Sequence, residues 1–212
     1  MHIYAFGSIC RGEVTPGSDI DLLAITESSD PRFDLETYSI YSYARLRMLW
    51  QEGNPFAWHL WLESKLLFAE DRSDFLHQLG KPQAYRGVVV DCEKFASLFH
   101  VSHTAVFAGT ESIVFELSTI FLAIRNIATC FSLGCTGGPD FSRRSALRLG
   151  SDSVPIDPAV FELLERARVL STRGVGTGPN QEELRRVTSA LPDVESWITA
   201  LCAKAKSYER LQ

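Results

Sequence analysis

Two short apolar segments near the start of the chain are joined by a stretch rich in turn-forming residues. Residues 2–6 (HIYAF) end at Gly7, whereas residues 19–26 (DIDLLAIT) alternate polar and apolar positions before they become continuously apolar. Both patterns predict short strands, the second of them in a buried position. The intervening TPGS at 15–18 predicts a turn, because proline and glycine favour turn conformations. The first part of the chain is therefore predicted to contain a sheet.

The next residues predict one helix and a third strand. Residues 35–51 follow Asp34, a residue type that commonly caps helices, and their apolar positions recur with helical spacing. The sequence GNP at 53–55 is predicted to end this helix. Residues 56–63 (FAWHLWLE) are rich in aromatic side chains and predict a strand.

From Lys94 onward the pattern changes to long helices separated by loops. Helical apolar spacing predicts helices at residues 95–107, 112–133, 158–169, 181–191 and 194–211. We therefore expect the α+β class, with a small mixed-sheet domain at 1–83 followed by a C-terminal helical bundle at 84–212.

Acidic residues are concentrated in the first part of the chain. Residues 1–80 carry 6 Lys and Arg against 12 Asp and Glu, whereas residues 81–212 carry 15 against 14. This imbalance indicates that the first part binds cations, either metal ions or a basic substrate. The formal net charge of −5 argues against a protein that coats nucleic acid, because such proteins are generally basic.

The cysteines and the N-terminus indicate a cytoplasmic protein. The five cysteines form no Cys-x-x-Cys pair and are odd in number, so neither a disulfide framework nor a zinc site is predicted. The start, MHIYAFGS, lacks the basic and long apolar segments of a signal peptide. Glu111 and Glu116 interrupt the most apolar region, so no stretch is expected to reach the roughly 20 residues that span a membrane. We expect a soluble protein without a membrane partner.

The chemistry of the chain is expected between the first two predicted strands. A strand that ends at Gly7, followed by Ser8 and a tight turn, can offer backbone N–H groups and a hydroxyl to phosphates. Ten residues separate Ser8 from Asp19, where the next strand is predicted to begin. Strand alternation places the carboxylates of Asp19 and Asp21 on one side, about 7 Å apart. Two carboxylates beside a phosphate-binding turn predict a Mg²⁺ site.

This arrangement, GSICRGEVTPGSDIDLL at residues 7–23, resembles the nucleotidyltransferase fold of the DNA polymerase β superfamily, most closely its minimal and aminoglycoside-type members. The resemblance is tight over residues 4–25 and looser to about residue 80. It implies a site for an NTP and two Mg²⁺ ions. The residues implied are Gly7, Ser8, Arg11 and Ser18 for the NTP phosphates, and Asp19 and Asp21 for metal binding and catalysis. For Arg11 the alternative is an ion pair with Glu13 on the surface.

The family places a third carboxylate on a neighbouring strand, where it accepts the proton of the acceptor hydroxyl. Within the predicted strand at 56–63, His59, Trp61 and Glu63 would share one face, so Glu63 is the candidate and His59 the alternative base. For both residues the alternative is a structural role, as a strand-end cap or a half-buried imidazole. Glu116, in the apolar run IVFELSTIF, is a further candidate base for the acceptor, with a salt bridge inside the bundle as the alternative.

We expect a nucleotidyltransferase that moves a nucleoside monophosphate from an NTP, with ATP the expected donor, to a hydroxyl group and releases pyrophosphate. The acidic first part suits a cationic aminoglycoside as acceptor; a protein tyrosine or serine suits nearly as well, and RNA ranks third. The alternative is a catalytically degenerate relative that serves as a binding module or antitoxin. No helix precedes the first predicted strand, so its sheet is expected to be covered by the helical part or by another subunit of a homo-oligomer.

The C-terminal part carries fewer signals of function. Arg143, Arg144 and Arg148 form its densest basic group, which either contacts a triphosphate or an RNA backbone or forms a solvated helix face. Arg125 invites comparison with HEPN domains, the helical partners of minimal nucleotidyltransferases. The nuclease motif of those domains requires a histidine a few residues later, and the sequence NIATCFS that follows Arg125 has none.

Overall fold

The computed structural model describes residues 1–13, 20–27 and 30–210. The chain divides into two compact units, Met1–Arg86 and Gly87–Gln212. The predicted fold class is confirmed, because a small mixed sheet near the N-terminus is followed by a helical C-terminal part.

The N-terminal unit is built on a mixed sheet of four strands in the order β3-β2-β1-β4. The strands are β1 (His2–Phe6), β2 (Asp21–Thr26), β3 (Tyr38–Ser42) and β4 (Lys65–Ala69). β1 is antiparallel to both of its neighbours, whereas β2 and β3 are parallel. The end of β1 therefore lies beside the start of β2.

Helices cover one face of this sheet. They are α2 (Tyr43–Gln51), α3 (Pro55–Glu63) and α4 (Phe75–Leu79), whereas the short helix α1 (Ser8–Arg11) follows the end of β1. Alternate positions of β1 and β2 pack against apolar side chains of α2, α3 and α4. The buried members of this core are Tyr4, Phe6, Leu23, Ile25, Leu46, Leu49, Trp50, Ala57, Leu60, Phe75 and Leu76.

β4 forms one edge of the sheet. Within the described residues it pairs with β1 alone, and the pairing is irregular between Ile3 and Tyr4. The side chains of Leu67 and Phe68 are 59% and 45% exposed. This edge therefore presents apolar side chains and unpaired backbone groups together.

The prediction of a strand at residues 56–63 was wrong, because these residues belong to α3. The side chain of Asn54 accepts a hydrogen bond from the N–H of Phe56 at 2.9 Å, and a proline occupies the first turn. Both features favour the start of a helix. The helix then buries Ala57 and Leu60, which lie three residues apart and share a face.

The single helix predicted at residues 35–51 was wrong in its first half. Tyr38–Ser42 form β3 alongside β2, and only Tyr43–Gln51 are helical. The hydroxyl of Ser42 accepts a hydrogen bond from the N–H of Arg45 at 3.1 Å and caps the helix at this boundary. Aromatic and β-branched residues in YSIYS favour a strand, so the spacing of the apolar positions was a misleading signal of helix here.

The C-terminal unit consists of long helices, and none of its described residues forms a strand. They are α5 (Val88–Phe107), α6 (Ile113–Phe131), α7 (Pro158–Arg173) and α8 (Gln181–Glu209). A π-helical turn at Ser132–Thr136 continues α6. α6 packs against both α5 and α7 and is the most buried helix of the unit.

By length and composition alone, Ile113–Thr136 could cross a membrane. The expectation that no stretch reaches that length was wrong, because Glu116 is accommodated within the helix and does not end it. More than half of the most apolar part of this segment is buried inside the protein. A core helix of a soluble protein shows the same combination of length, composition and burial.

The two helices predicted at 181–191 and 194–211 form one helix, α8, with Pro192 in its interior. A capping box begins the helix: the side chain of Asn180 accepts from the N–H of Glu183 at 2.9 Å, and the Glu183 carboxylate accepts from the N–H of Asn180 at 2.9 Å. Buried apolar residues continue on both sides of the proline. Packing therefore keeps the helix continuous although proline lacks a backbone donor.

Candidate functional site

β1 ends in a tight turn whose backbone conformation favours glycine. Gly7 has a φ of 75° and a ψ of −143°, a region that other residues rarely adopt. Its carbonyl accepts hydrogen bonds from the N–H groups of Cys10 at 3.1 Å and Arg11 at 3.3 Å, which closes the single turn of α1. The N–H groups of Ser8 and Ile9 form no backbone hydrogen bond with a described residue. The turn therefore offers two backbone donors and one hydroxyl to a ligand.

The carboxylate of Asp21 lies directly against this turn. Phe6 and Asp21 are register partners in β1 and β2, so Asp21 stands beside the residue that precedes the turn. A Cβ atom added to Gly7 would lie 2.4 Å from Oδ2 of Asp21, closer than such atoms approach in proteins. Glycine at this position therefore makes room for the carboxylate, which belongs to a solvent-exposed residue.

Asp19 and Ser18, the residues predicted to act with Asp21, lie outside the described residues. Over residues 1–13, 20–27 and 30–210, no group of three or more His, Cys, Asp or Glu side chains is arranged to hold a metal ion. Asp21 is thus the predicted metal ligand whose position is described. A carboxylate oxygen beside a phosphate-binding turn is the donor type that Mg²⁺ prefers, so Asp21 fits as one ligand of such an ion.

Arg11, at the end of α1, is held between two carboxylates. Its Nε donates to Oε2 of Glu13 at 2.9 Å, and its Nη1 donates to Oε2 of Glu63. The side chains of Arg11 and Glu63 are 19% and 14% exposed, so salt screens this pair less than a surface pair. Burial lowers the pKa of Arg11, but the hydrogen bonds and charges of the two glutamates outweigh burial and raise the pKa overall. The pairing with Glu13 is present, and binding of Arg11 to a phosphate stays a prediction.

Glu63 is the last residue of α3 and does not lie on a strand. Its Oε2 lies 2.9 Å from Nε2 of His59, which is one helical turn earlier. The prediction that Trp61 shares their face was wrong, because residues two apart point to different sides of a helix. The Trp61 ring instead packs edge-on against Trp58, with 5.6 Å between the ring centroids. The structure therefore brings Glu63 and His59 together with Arg11 at the turn.

Two further residues near the turn, Cys10 and Lys65, were not identified from the sequence. Sγ of Cys10 donates a hydrogen bond to the carbonyl of Ala5 at 3.4 Å, and Lys65 is paired with Ala5 across β1 and β4. Burial raises the pKa of Cys10, and the charges of Lys65 and the acidic and basic side chains of the turn also act on it. The apolar run KLLFA at 65–69 was the available signal for β4.

The remaining candidate residues lie in the C-terminal unit. Glu116 is partly buried in the first turn of α6 and forms no ion pair with another described residue. The salt bridge that was predicted as the alternative role of Glu116 is therefore absent from the described part of the chain. Arg143 and Arg144 both contact Glu165, at 3.6 Å and 3.4 Å, and Arg148 contacts an aspartate of its own loop at 3.8 Å. The three arginines of the predicted basic group are thus each paired with a carboxylate.

Comparison with protein families identifies the N-terminal unit. Residues 2–79 match the family model described as the nucleotidyltransferase domain. The resemblance carried by the motif at residues 7–23 is thereby confirmed, and the matched segment runs from β1 to the end of α4. A comparison with curated proteins found no match.

Proposed function

Since residues 2–79 are a nucleotidyltransferase domain of the polymerase β-like superfamily, we propose that the protein transfers a nucleoside monophosphate from an NTP to a hydroxyl group and releases pyrophosphate. ATP is the expected donor. The observation that carries the proposal is the carboxylate of Asp21 against the glycine turn at Gly7. This contact supports the proposal, because nucleotidyl transfer needs a carboxylate for the cation and N–H donors for the phosphates close together.

The turn is proposed to bind the donor phosphates. The Ser8 hydroxyl and the N–H groups of Ser8 and Ile9 would donate hydrogen bonds to them, and Ser18 would add another hydroxyl. Arg11 lies at the end of the same helical turn. Because two carboxylates already hold Arg11, a phosphate would have to share its guanidinium with them.

Asp21 and Asp19 are proposed to hold two Mg²⁺ ions. When bound, these ions would orient the α-phosphate and neutralise charge on the departing pyrophosphate. Asp21 supplies its oxygens from a fixed position, because its backbone is paired with Phe6 in the sheet. The excess of acidic residues over residues 1–80 favours cations in the same part of the chain.

Glu63 is proposed to accept the proton of the acceptor hydroxyl, with His59 as the alternative base. Oε2 of Glu63 faces Arg11 and His59, whereas Oε1 bonds to no described residue. The acceptor hydroxyl would therefore meet Oε1. Glu116 of the C-terminal unit is a second candidate base.

The proposed acceptor is a small molecule, such as a cationic aminoglycoside, or the hydroxyl of a protein side chain. The argument is one of charge: residues 1–80 carry twice as many acidic as basic residues, which favours a basic acceptor. Nucleic acid ranks below both because the chain has a net charge of −5. A cytoplasmic location and a homo-oligomeric state stay predictions.

A catalytically degenerate binding module or antitoxin is the second candidate function. The observation that favours it is the ion pair between Arg11 and Glu63, which engages the carboxylate proposed to complete the site. Such a module would not need Mg²⁺-dependent binding of an NTP. The two candidates therefore differ in a property that can be measured directly.

Isothermal titration with a non-hydrolysable ATP analogue, with and without Mg²⁺, tests the proposal. The wild-type protein should bind the analogue more tightly with Mg²⁺, and Asp21→Asn should lose this dependence because an amide is a weaker ligand for Mg²⁺. Glu52→Gln is the matched control, since Glu52 lies at the end of α2 and pairs with Arg45 at 3.6 Å. It should bind like the wild type. The titration is repeated with analogues of GTP, CTP and UTP. If the wild-type protein bound none of the four analogues, the proposed transferase activity would be rejected in favour of the binding module.

A further inference from the structure

The strand β4 combines an outer sheet edge with exposed apolar side chains. β1 lies on one side of β4, and no described strand lies on the other. Leu66, Leu67 and Phe68 are each at least a third exposed. The opposite edge of the sheet, β3, contains no large apolar side chain that is exposed to this degree. A strand added at β4 would therefore bury apolar surface and gain main-chain hydrogen bonds together.

The two ends of β4 carry charges of opposite sign. Lys65 begins the strand and is exposed, whereas Glu70 and Asp71 follow its last residue directly. Glu70 binds the N-terminal amine at 2.8 Å, and Asp71 accepts a hydrogen bond from the hydroxyl of Ser73 at 2.9 Å. Both carboxylate side chains nevertheless stay mostly exposed, at 71% and 63%. The edge therefore runs from a positive end to a negative end.

This order of charges is complementary to itself when two copies of the strand run antiparallel. The start of one β4 then lies beside the end of the other, so Lys65 of each copy approaches Glu70 and Asp71 of the second copy. A parallel arrangement would bring like charges together at both ends, which is unfavourable. The antiparallel arrangement also brings the apolar side chains of both strands together at the centre. Two identical strands paired in this way are related by a twofold axis, the commonest symmetry of protein dimers.

We propose that two copies of this chain associate through β4, which pairs with itself antiparallel and joins the two sheets into one. The inference goes beyond the proposed reaction, because β4 holds none of the residues proposed for nucleotidyl transfer. A strand of five residues is short, so the interface should be smaller than the roughly 1,200–2,000 Å² of stable complexes. The dimer is therefore expected to dissociate on dilution.

Sedimentation velocity of the full chain over a series of concentrations tests this interface. The wild type should change from monomer to dimer as the concentration rises. Leu67→Lys should weaken dimerisation by about tenfold or more, because it places two further positive charges close to the twofold axis. Leu35→Lys is the matched control, since Leu35 is also exposed, at 83%, but precedes β3 at the other side of the sheet. It should dimerise like the wild type.

Reversal of the charges tests the antiparallel direction of the pairing. Lys65→Glu should weaken the dimer by about threefold or more, because carboxylates of the two copies then face one another. Addition of Glu70→Lys to Lys65→Glu should restore much of the lost affinity, since opposite charges again meet at each end. If the double variant dimerised no better than Lys65→Glu, antiparallel pairing of β4 would be rejected.

Hydrogen–deuterium exchange and thermal unfolding separate the pairing from folding. Peptides that cover residues 65–69 should exchange more slowly in the wild-type dimer than in the monomer, because their N–H groups become paired. Dilute Leu67→Lys should unfold at the temperature of the dilute wild type, since Leu67 is exposed and the register of β1 and β4 skips it.

Two results would overturn the proposal. One is a wild type that stays monomeric at every concentration, and the other is dimerisation of Leu67→Lys that equals that of Leu35→Lys. Asp21→Asn should dimerise like the wild type, because Asp21 lies on β2 and not on the proposed interface. Failure of the proposed transfer reaction would therefore be recognised separately from failure of the dimer.

Discussion

Arg11 in the N-terminal unit and Arg168 in the C-terminal unit are both partly buried arginines, but their surroundings are opposite. Two glutamates hold Arg11 and raise its pKa overall, whereas burial and two neighbouring arginines lower the pKa of Arg168. Described carboxylates therefore pair with Arg11, whereas no described carboxylate pairs with Arg168. The difference teaches that the charged side chains around a partly buried arginine decide whether its pKa rises or falls, since burial lowers it in both cases.

The largest effect is expected from Gly7→Ala, which would displace the Asp21 carboxylate from the turn that precedes Arg11. The new Cβ would lie 2.4 Å from Oδ2 of Asp21 and would sit at a φ of 75°. We expect nucleotidyl transfer to fall by about 100-fold or more, because displaced catalytic groups cost that much. The free energy of unfolding should fall by roughly 2–4 kcal/mol. Pyrophosphate release and denaturant unfolding measure the two quantities.

Gly12→Ala is the matched control for this substitution. Gly12 has nearly the same φ, 74°, but an added Cβ would meet nothing within 4 Å. It should lower the free energy of unfolding by about 1 kcal/mol, the cost of backbone strain alone. If both variants lost transfer activity equally, backbone strain and not the contact with Asp21 would explain the requirement for glycine.

Glu63→Gln is expected to change transfer and binding in opposite directions. Transfer should fall by roughly 10²–10⁴-fold if Glu63 accepts the proton. Binding of Mg²⁺-free ATP should become about three- to tenfold tighter, since a negative charge is removed and Arg11 is released from one partner. Steady-state turnover and titration measure the two effects. Unchanged turnover would assign Glu63 to positioning Arg11, and Glu13→Gln serves as the control on the other side of the guanidinium.

A smaller effect is expected from a comparison on α7. Arg166→Gln should lower the free energy of unfolding by about 0.5–1 kcal/mol, because it breaks a bidentate pair with Glu183 that is only partly buried. Arg168→Gln should leave that free energy unchanged or raise it. Urea unfolding of both variants in a buffer without phosphate or sulfate would show the difference. Equal losses would mean that Arg168 is as well satisfied as Arg166.

The smallest effect concerns Cys10. Burial raises the pKa of its thiol, so the reactive thiolate forms at higher pH than in an unburied cysteine. Alkylation of Cys10 near neutral pH should be slower than that of a free thiol and should accelerate as the pH rises. A mass-spectrometric time course at two pH values measures this, and rapid alkylation at neutral pH would contradict it.

The elements predicted well from the sequence were those whose signal is local and repeated. The strand at residues 2–6 and most of the long helices follow from apolar periodicity, which reports directly on the buried face. The wrong predictions of secondary structure came where the propensity of the residues and their packing disagree. Aromatic residues at 56–63 favoured a strand, but the cap at Asn54 and the need to bury Leu60 make a helix.

The site was predicted in part for the same reason. Gly7 and Asp21 belong to a motif whose residues are close in sequence, and the register of two adjacent strands brings them together. The contact of Arg11 with Glu63 joins residues 52 positions apart and depends on α3 being a helix.

The exposed edge of the sheet at β4 has a practical consequence for experiments on the site. An unpaired strand edge with apolar side chains is a template for the aggregation of neighbouring molecules, and charged residues on such an edge oppose that process. Lys65 is the charged residue within KLLFA and also lies opposite Ala5, next to the turn. A variant that lacks Lys65 would thus lose solubility and local charge together. Its activity has to be normalised to the soluble fraction before any loss is assigned to chemistry.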